Sequence, residues 1–87
     1  MLNFFPRANF ENYMPISSQL KHVLSEAKEV EGAFENKEGM ARVVEELLDL
    51  IWSAQTAVNI IAKQGYGIEV EDLVSEVIDK NVKRGYL

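Results

Sequence analysis

The sequence predicts an all-α fold: a small bundle of about three helices, completed by oligomerisation. Three observations predict it. Apolar residues recur at helical spacing in three segments, glycine- or proline-bearing breaks separate those segments, and no strand pattern of useful length appears. At 87 residues the chain makes one domain at most. A domain so short buries only about 60–65% of its unfolded surface, and such chains often complete their core by pairing with copies of themselves.

Residues 1–16 read as an N-terminal arm and residues 17–87 as the helical domain. The arm carries Phe4, Phe5, Phe10, Tyr13 and Met14, is broken by Pro6 and Pro15, and shows no clean period. A segment this aromatic is expected to pack on the helices or on a second subunit. The first helix is predicted from Ser17 or Ser18, either of which can cap the free amides, to Phe34. Its apolar stripe is Leu20, Val23, Leu24, Ala27 and Phe34, with Glu31 falling unexplained inside it.

After a break at Asn36 to Gly39, the second helix is predicted from about Glu38 to Gln64. Its stripe is Met40, Val43, Val44, Leu47, Ile51, Ala54, Val58 and Ile61, and Leu48 and Trp52 lie on another side. A helix apolar over so much of its circumference is a buried one. In a chain this short, that places Trp52 and Leu48 at or near a subunit interface. Gly65-Tyr66-Gly67 ends the helix, since glycine takes the left-handed conformation cheaply. The third helix, about Glu69 to Lys83, has Val70, Leu73, Val74, Val77 and Ile78 as its stripe and acids in its first turn, where the helix dipole favours them.

Composition narrows the function. Apolar residues make up 47% of the chain, enough for a globular fold. With no cysteine, neither a disulfide framework nor a thiolate metal site can form. The net charge of −5, from 14 acidic and 9 basic residues, is the reverse of what a non-specific nucleic-acid binder carries. No apolar run approaches the roughly 20 residues of a membrane span, and no basic stretch followed by an apolar run marks a secretory leader. The expected location is the cytoplasm, with neither a nucleic-acid polymer nor a membrane as partner.

The chemistry lies in the acids. Glu26 and Glu29 are three apart, which on a helix sets their Cβ atoms about 5–6 Å from each other on one face. Glu46 and Asp49 repeat the arrangement on the second helix. At about 100° per residue, each pair flanks its apolar stripe on the same side. Antiparallel packing of the stripes would gather four carboxylates at the edge of the core. Four such groups repel unless some are protonated or a cation sits among them. Oxygen ligands of this kind select Mg²⁺ or Mn²⁺. A di-iron centre would need Glu-x-x-His on two helices, and His22, four residues before Glu26, is the only histidine; it reads as a solvent-side residue. The bland reading of the quartet is two solvated acidic faces.

The pattern Glu26-x-x-Glu29, sixteen residues, then Glu46-x-x-Asp49 resembles the signature of the MazG-like all-α nucleotide pyrophosphohydrolases. The local words Leu24-Ser25-Glu26-Ala27-Lys28-Glu29 and Glu45-Glu46-Leu47-Leu48-Asp49-Leu50 agree. The ending Lys80-Asn81-Val82-Lys83-Arg84-Gly85-Tyr86 is similar to that of compact members. The resemblance covers about residues 17–86. It implies a helical homodimer or homotetramer that cleaves a nucleoside triphosphate between its α and β phosphates, giving the monophosphate and pyrophosphate. It implies Mg²⁺ as cofactor, with Mn²⁺ an alternative, and Glu26, Glu29, Glu46 and Asp49 as the ligands. Phosphoryl transfer needs charge neutralised on the phosphate oxygens and a water held in line. Lys80, Lys83 and Arg84 are candidates for holding the outer phosphates; otherwise they simply complement a helix C-terminus. Nucleotide-pool house-cleaning is the expected role. The alternative function is a non-catalytic helical interaction module with the same fold.

Overall fold

Apolar periodicity produces three helices in the computed structural model, which describes residues 4–87; the first three residues of the 1–16 arm lie outside the described residues. They are α1 (Ile16–Glu35), α2 (Met40–Lys63) and α3 (Val70–Lys83), and the described residues form no strand. The fold is all-α, as expected. Neither serine caps α1. Pro15 occupies that position with φ −61°, and its carbonyl accepts the amides of Ser18 and Gln19 at 3.1 and 3.2 Å. Proline suits the entry because its fixed φ is compatible with the start of a helix and it has no amide to leave unpaired.

The α1–α2 turn is tight. The amides of Lys37 and Glu38 bond back to the carbonyls of Phe34 and Ala33 at 3.2 and 3.1 Å, with Lys37 left-handed at φ 55°. This is the doubled bond that closes many helix C-termini. Gly39, at φ 96°, then reverses the chain into α2. The short turn makes α1 and α2 antiparallel neighbours. Glu26 and Glu29, late in α1, are thereby drawn level with Asp49 and Glu46, early in α2.

The stripes do not meet as expected. Leu20, Leu24 and Phe34 of α1 and Met40, Val44, Leu47 and Ile51 of α2 are exposed, Leu24 and Met40 each by 64%. The contact runs instead through Gln19, Ala33, Glu46, Ser53 and Ala57, all buried, with Val23, Val30 and Leu50 half-buried beside them. These residues share one face of each helix. By helical register the exposed stripe of each is turned roughly 100° away from it. Small side chains let the helices approach closely, and a bond from Gln19 Nε2 to the Ser53 carbonyl (3.0 Å) crosses the contact. Glu31 is exposed and needs no packing explanation.

The arm packs on α2. Phe5 stacks on Trp52 with ring centroids 5.1 Å apart and 9° between planes. Gln55 takes both backbone groups of Phe5: the Phe5 amide donates to Gln55 Oε1 at 2.7 Å, and Gln55 Nε2 donates to the Phe5 carbonyl at 2.8 Å. Trp52 Nε1 donates to the Pro6 carbonyl, and Gln64 Nε2 to that of Met14. Glu11, fully buried, pairs with Lys63 at 3.0 Å. Trp52 and Leu48 were expected near a subunit interface; the chain's own arm packs on the Trp52 side of α2, and both residues remain 39% exposed. Gln55→Ala is expected to cost about 1–3 kcal/mol of stability, because it strands two polar groups of the arm. Chemical denaturation of the variant measures this.

The third helix packs less. Leu73, Val74, Val77 and Ile78 are exposed and, with Val58, Ile61, Ile68 and Val70, line an apolar groove of ≈ 500 Å³. Its C-terminus closes with the same doubled bond, through left-handed Gly85. No helix among the described residues is long and apolar enough to cross a membrane.

Candidate active site

The antiparallel register brings carboxylates from both helices together. One oxygen from each of Glu26, Glu46 and Asp49 lies within 4.8 Å of the others. Glu29 stands outside that group but its charge acts on the Glu46 carboxyl, so all four acids named from the sequence share one neighbourhood. The stripes flanking the acids do not meet, yet the acids come closer than a rim position requires. Glu46 lies in the α1–α2 contact itself, 4% exposed.

Each of the two inner acids is held the same way. Glu46 Oε1 takes Arg42 Nη2 at 2.7 Å, four residues earlier on α2. Glu26 Oε1 takes His22 Nε2 at 3.1 Å, four residues earlier on α1. The second oxygens, Glu46 Oε2 and Glu26 Oε2, are buried and have no hydrogen-bond partner. A buried carboxylate oxygen without a partner is costly, and a cation between the helices would satisfy both. Together with Asp49, they form a hard-oxygen donor set of the kind that suits Mg²⁺ or Mn²⁺.

The Glu46 carboxyl is held above its ordinary value, first by burial, then by the neighbouring Glu29 carboxyl; the Arg42 guanidinium pulls the other way. A carboxyl raised on folding makes the folded state bind more protons than the unfolded chain. Its contribution to stability is therefore lost as pH rises above the unfolded value of 4.5. Without metal, Glu46→Gln is expected to be the more stable protein at pH 7, with the gap shrinking as pH falls towards 5. Denaturant melts of both proteins across that range measure the gap.

Two cavities open beside the acids, one lined in part by Glu26 and Asp49 and the other by Glu29 and Glu46. One, of ≈ 310 Å³, is lined by Ala8 and Phe10 of the arm, Gln19, His22 and Glu26 of α1, and Asp49, Trp52, Ser53 and Thr56 of α2. The other, of ≈ 300 Å³, is lined by Glu29, Gly32, Ala33, Asn36, Glu38, Arg42 and Glu46. Lys80 and Lys83, on the last turn of α3, and Arg84, just past it, line neither and are exposed. His22 is largely solvent-exposed, as read from the sequence, but its partner Glu26 and its place in the first cavity bring it to the site. Arg42 was not singled out from the sequence. Its spacing, i to i+3 and i+4 before Glu45 and Glu46, was the available signal; the structure pairs it with both, at 3.1 and 2.7 Å.

The family model of the MazG nucleotide pyrophosphohydrolase domain matches residues 15–85. No curated protein and no solved structure gives a significant match.

Proposed function

The chain belongs to the MazG nucleotide pyrophosphohydrolase family, and from that premise we propose that it is a Mg²⁺-dependent enzyme releasing pyrophosphate from a nucleoside triphosphate. The carrying observation is that Glu26 and Glu46 each keep a buried, unpartnered oxygen while their carboxylates and that of Asp49 approach within 4.8 Å of one another. Glu26, Glu46 and Asp49 would hold the metal, with Glu29 completing the set from the Glu46 side. Bound there, Mg²⁺ supplies charge neutralisation on the phosphate oxygens and lowers the pKa of a coordinated water.

The chain's own residues divide the work. Phe10 and Trp52 give the first cavity aromatic walls for a nucleoside. Arg42, in the second cavity, offers a cation beside Glu46, where the departing β and γ phosphates would lie. His22 and Arg42 hold one oxygen of each inner acid, leaving the other free for a ligand. Attack of water on the α phosphorus with loss of pyrophosphate gives the nucleoside monophosphate. The proposal includes a house-cleaning role for that reaction in the cytoplasm.

We propose further that the enzyme is a homo-oligomer. The chain exposes 6304 Å², against ~5,200 Å² for a compact monomer of its mass. Its radius of gyration is 14.8 Å, against ~12 Å for a compact domain of this length. The excess of ~1,100 Å² is about one partner's share of a stable interface. The apolar surface available to a partner lies in the exposed stripes of α1 and α2, turned away from the acids, and in the groove along α3. A second copy offers the same stripes in return. Lys80, Lys83 and Arg84 would then reach phosphates from the partner copy.

Pyrophosphate release from a panel of nucleoside triphosphates, with and without Mg²⁺, tests the activity. No release from any nucleotide would favour the non-catalytic interaction module. Metal binding has its own readout. A ligand present at a hundredfold excess over its Kd stabilises the folded state by about 2.7 kcal/mol. Mg²⁺ or Mn²⁺ is therefore expected to raise the melting temperature by about 10 °C or more. Na⁺ at equal ionic strength should not.

A further inference from the structure

The arm is attached to α2 by polar pairing more than by apolar burial. Among its described residues, 4–16, Glu11 alone is fully buried, whereas Phe4 and Tyr13 are exposed by 67% and 72%. Glu11 sits in a turn in which the Phe10 carbonyl accepts the amides of Tyr13 and Met14 at 3.2 and 3.0 Å. Three side chains from the end of α2 grip that turn. Lys63 Nζ lies 3.0 Å from Glu11 Oε1, and Asn59 Nδ2 donates to Glu11 Oε2 at 3.3 Å. Gln64 Nε2 donates to the Met14 carbonyl at 2.9 Å. Phe10, next to Glu11 in the chain, lines the first cavity together with Ala8.

Resting on the reading that this cavity takes the nucleoside, we propose that Glu11 and Lys63 are a positioning pair: their contact holds the Phe10 turn against α2 as a wall of the cavity and so sets nucleoside affinity. Neither residue lines the cavity; both act through Phe10. The two partners are not equivalent. The Lys63 side chain is 21% exposed and that of Glu11 1%. If Glu11 loses its charge, Lys63 can turn to solvent from where it stands. If Lys63 loses its charge, Glu11 becomes a buried carboxylate without a cation, which is a costly arrangement. It then reaches water only when the turn leaves α2. Release of the turn removes one wall of the cavity. The α1–α2 contact is made by the two helices themselves, so Glu26, Glu46 and Asp49 stay together. The loss therefore falls on the nucleoside and not on the phosphates.

The experiment measures, by calorimetry in millimolar Mg²⁺, the Kd of inorganic triphosphate and of the α,β-imido analogues of the common nucleoside triphosphates. It also follows acrylamide quenching of Trp52, the sole tryptophan, on which Phe5 and Pro6 of the arm rest. Lys63→Met is expected to weaken the analogue that wild type binds best by at least about tenfold, and inorganic triphosphate by less than about twofold. Quenching of Trp52 should rise in the same variant, with circular dichroism verifying the helices. Phe10→Ala should reproduce the loss of nucleoside affinity. Glu11→Gln, whose amide oxygen still accepts from Asn59, should lose less than Lys63→Met. The double variant Glu11→Gln/Lys63→Met buries no lone charge and should bind the analogue at least about fivefold more tightly than Lys63→Met. Unchanged analogue affinity in Lys63→Met overturns the proposal, as does an equal loss for inorganic triphosphate. A double variant that binds no better than Lys63→Met overturns it too. Absence of analogue binding to wild type overturns it together with the nucleoside reading of the cavity. Nucleoside-selective loss in a protein that releases no pyrophosphate would keep this inference and remove the proposed activity.

Discussion

Glu46→Gln is expected to cut pyrophosphate release by at least about a hundredfold while leaving the helices intact. Losing a residue that only supports a metal ligand typically costs about 10–100-fold, and Glu46 is placed as a ligand. The amide keeps the size and one oxygen of the carboxylate, so the 2.7 Å contact with Arg42 weakens without leaving a hole. Removal of a charge from among Glu29, Asp49 and Glu26 relieves repulsion, so the metal-free fold should not suffer. The assay is pyrophosphate release at saturating Mg²⁺, with helicity followed by circular dichroism. Glu31→Gln, which changes an exposed acid on the other side of α1, controls for net charge. Activity of Glu46→Gln within about a factor of two of wild type would remove Glu46 from the site; such retention is far outside what loss of a ligand permits.

The second large effect concerns assembly. Leu47→Lys sets a charge in the middle of the exposed α2 stripe, where Leu47 is 40% exposed. In a two-fold interface every substitution occurs twice. An unpaired buried charge costs about 3–5 kcal/mol, so dissociation is expected to become easier by at least about a thousandfold. Sedimentation at micromolar concentration should give an oligomer for wild type and a monomer of 9.9 kDa for the variant. Leu24→Lys, on the exposed stripe of α1, should act the same way. A wild type that sediments as a monomer would contradict the proposed assembly.

The two predictions rest on opposite sides of the same helix pair. On one side, acids and their basic partners converge; on the other, leucine, isoleucine, valine and methionine face outward. The fully buried positions of the helix–helix contact between them are small or polar residues, Gln19, Ala33, Glu46, Ser53 and Ala57, with Val23, Val30 and Leu50 only half-buried beside them. Hydropathy scoring passes over such a line, because it ranks faces by how apolar they are and not by how closely they let backbones approach. The expected stripes were therefore real but misassigned. Much of each stripe, Leu20, Leu24 and Phe34 of α1 and Met40, Val44, Leu47 and Ile51 of α2, is left uncovered by the chain's own helices.

The arm shows the same limit. Its aromatic content said that it packs somewhere. That Gln55 grips the Phe5 backbone and Lys63 reaches Glu11 depends on residues about 50 positions apart, a separation that no local period encodes.

By itself, the sequence determined the helical class, the three segments nearly to their ends, the left-handed glycine that stops α2, and the four acids at spacing i to i+3. All of these are local: a helix places residues three and four apart on one face whatever surrounds it. Only the tertiary structure decided which face of each helix meets the other, that Glu46 and Glu26 keep a buried oxygen free while Arg42 and His22 hold the second, and that the arm walls one cavity beside the acids. Those features arise where atoms distant in sequence compete for the same space, and that competition is settled by shape and by the pairing of buried polar groups.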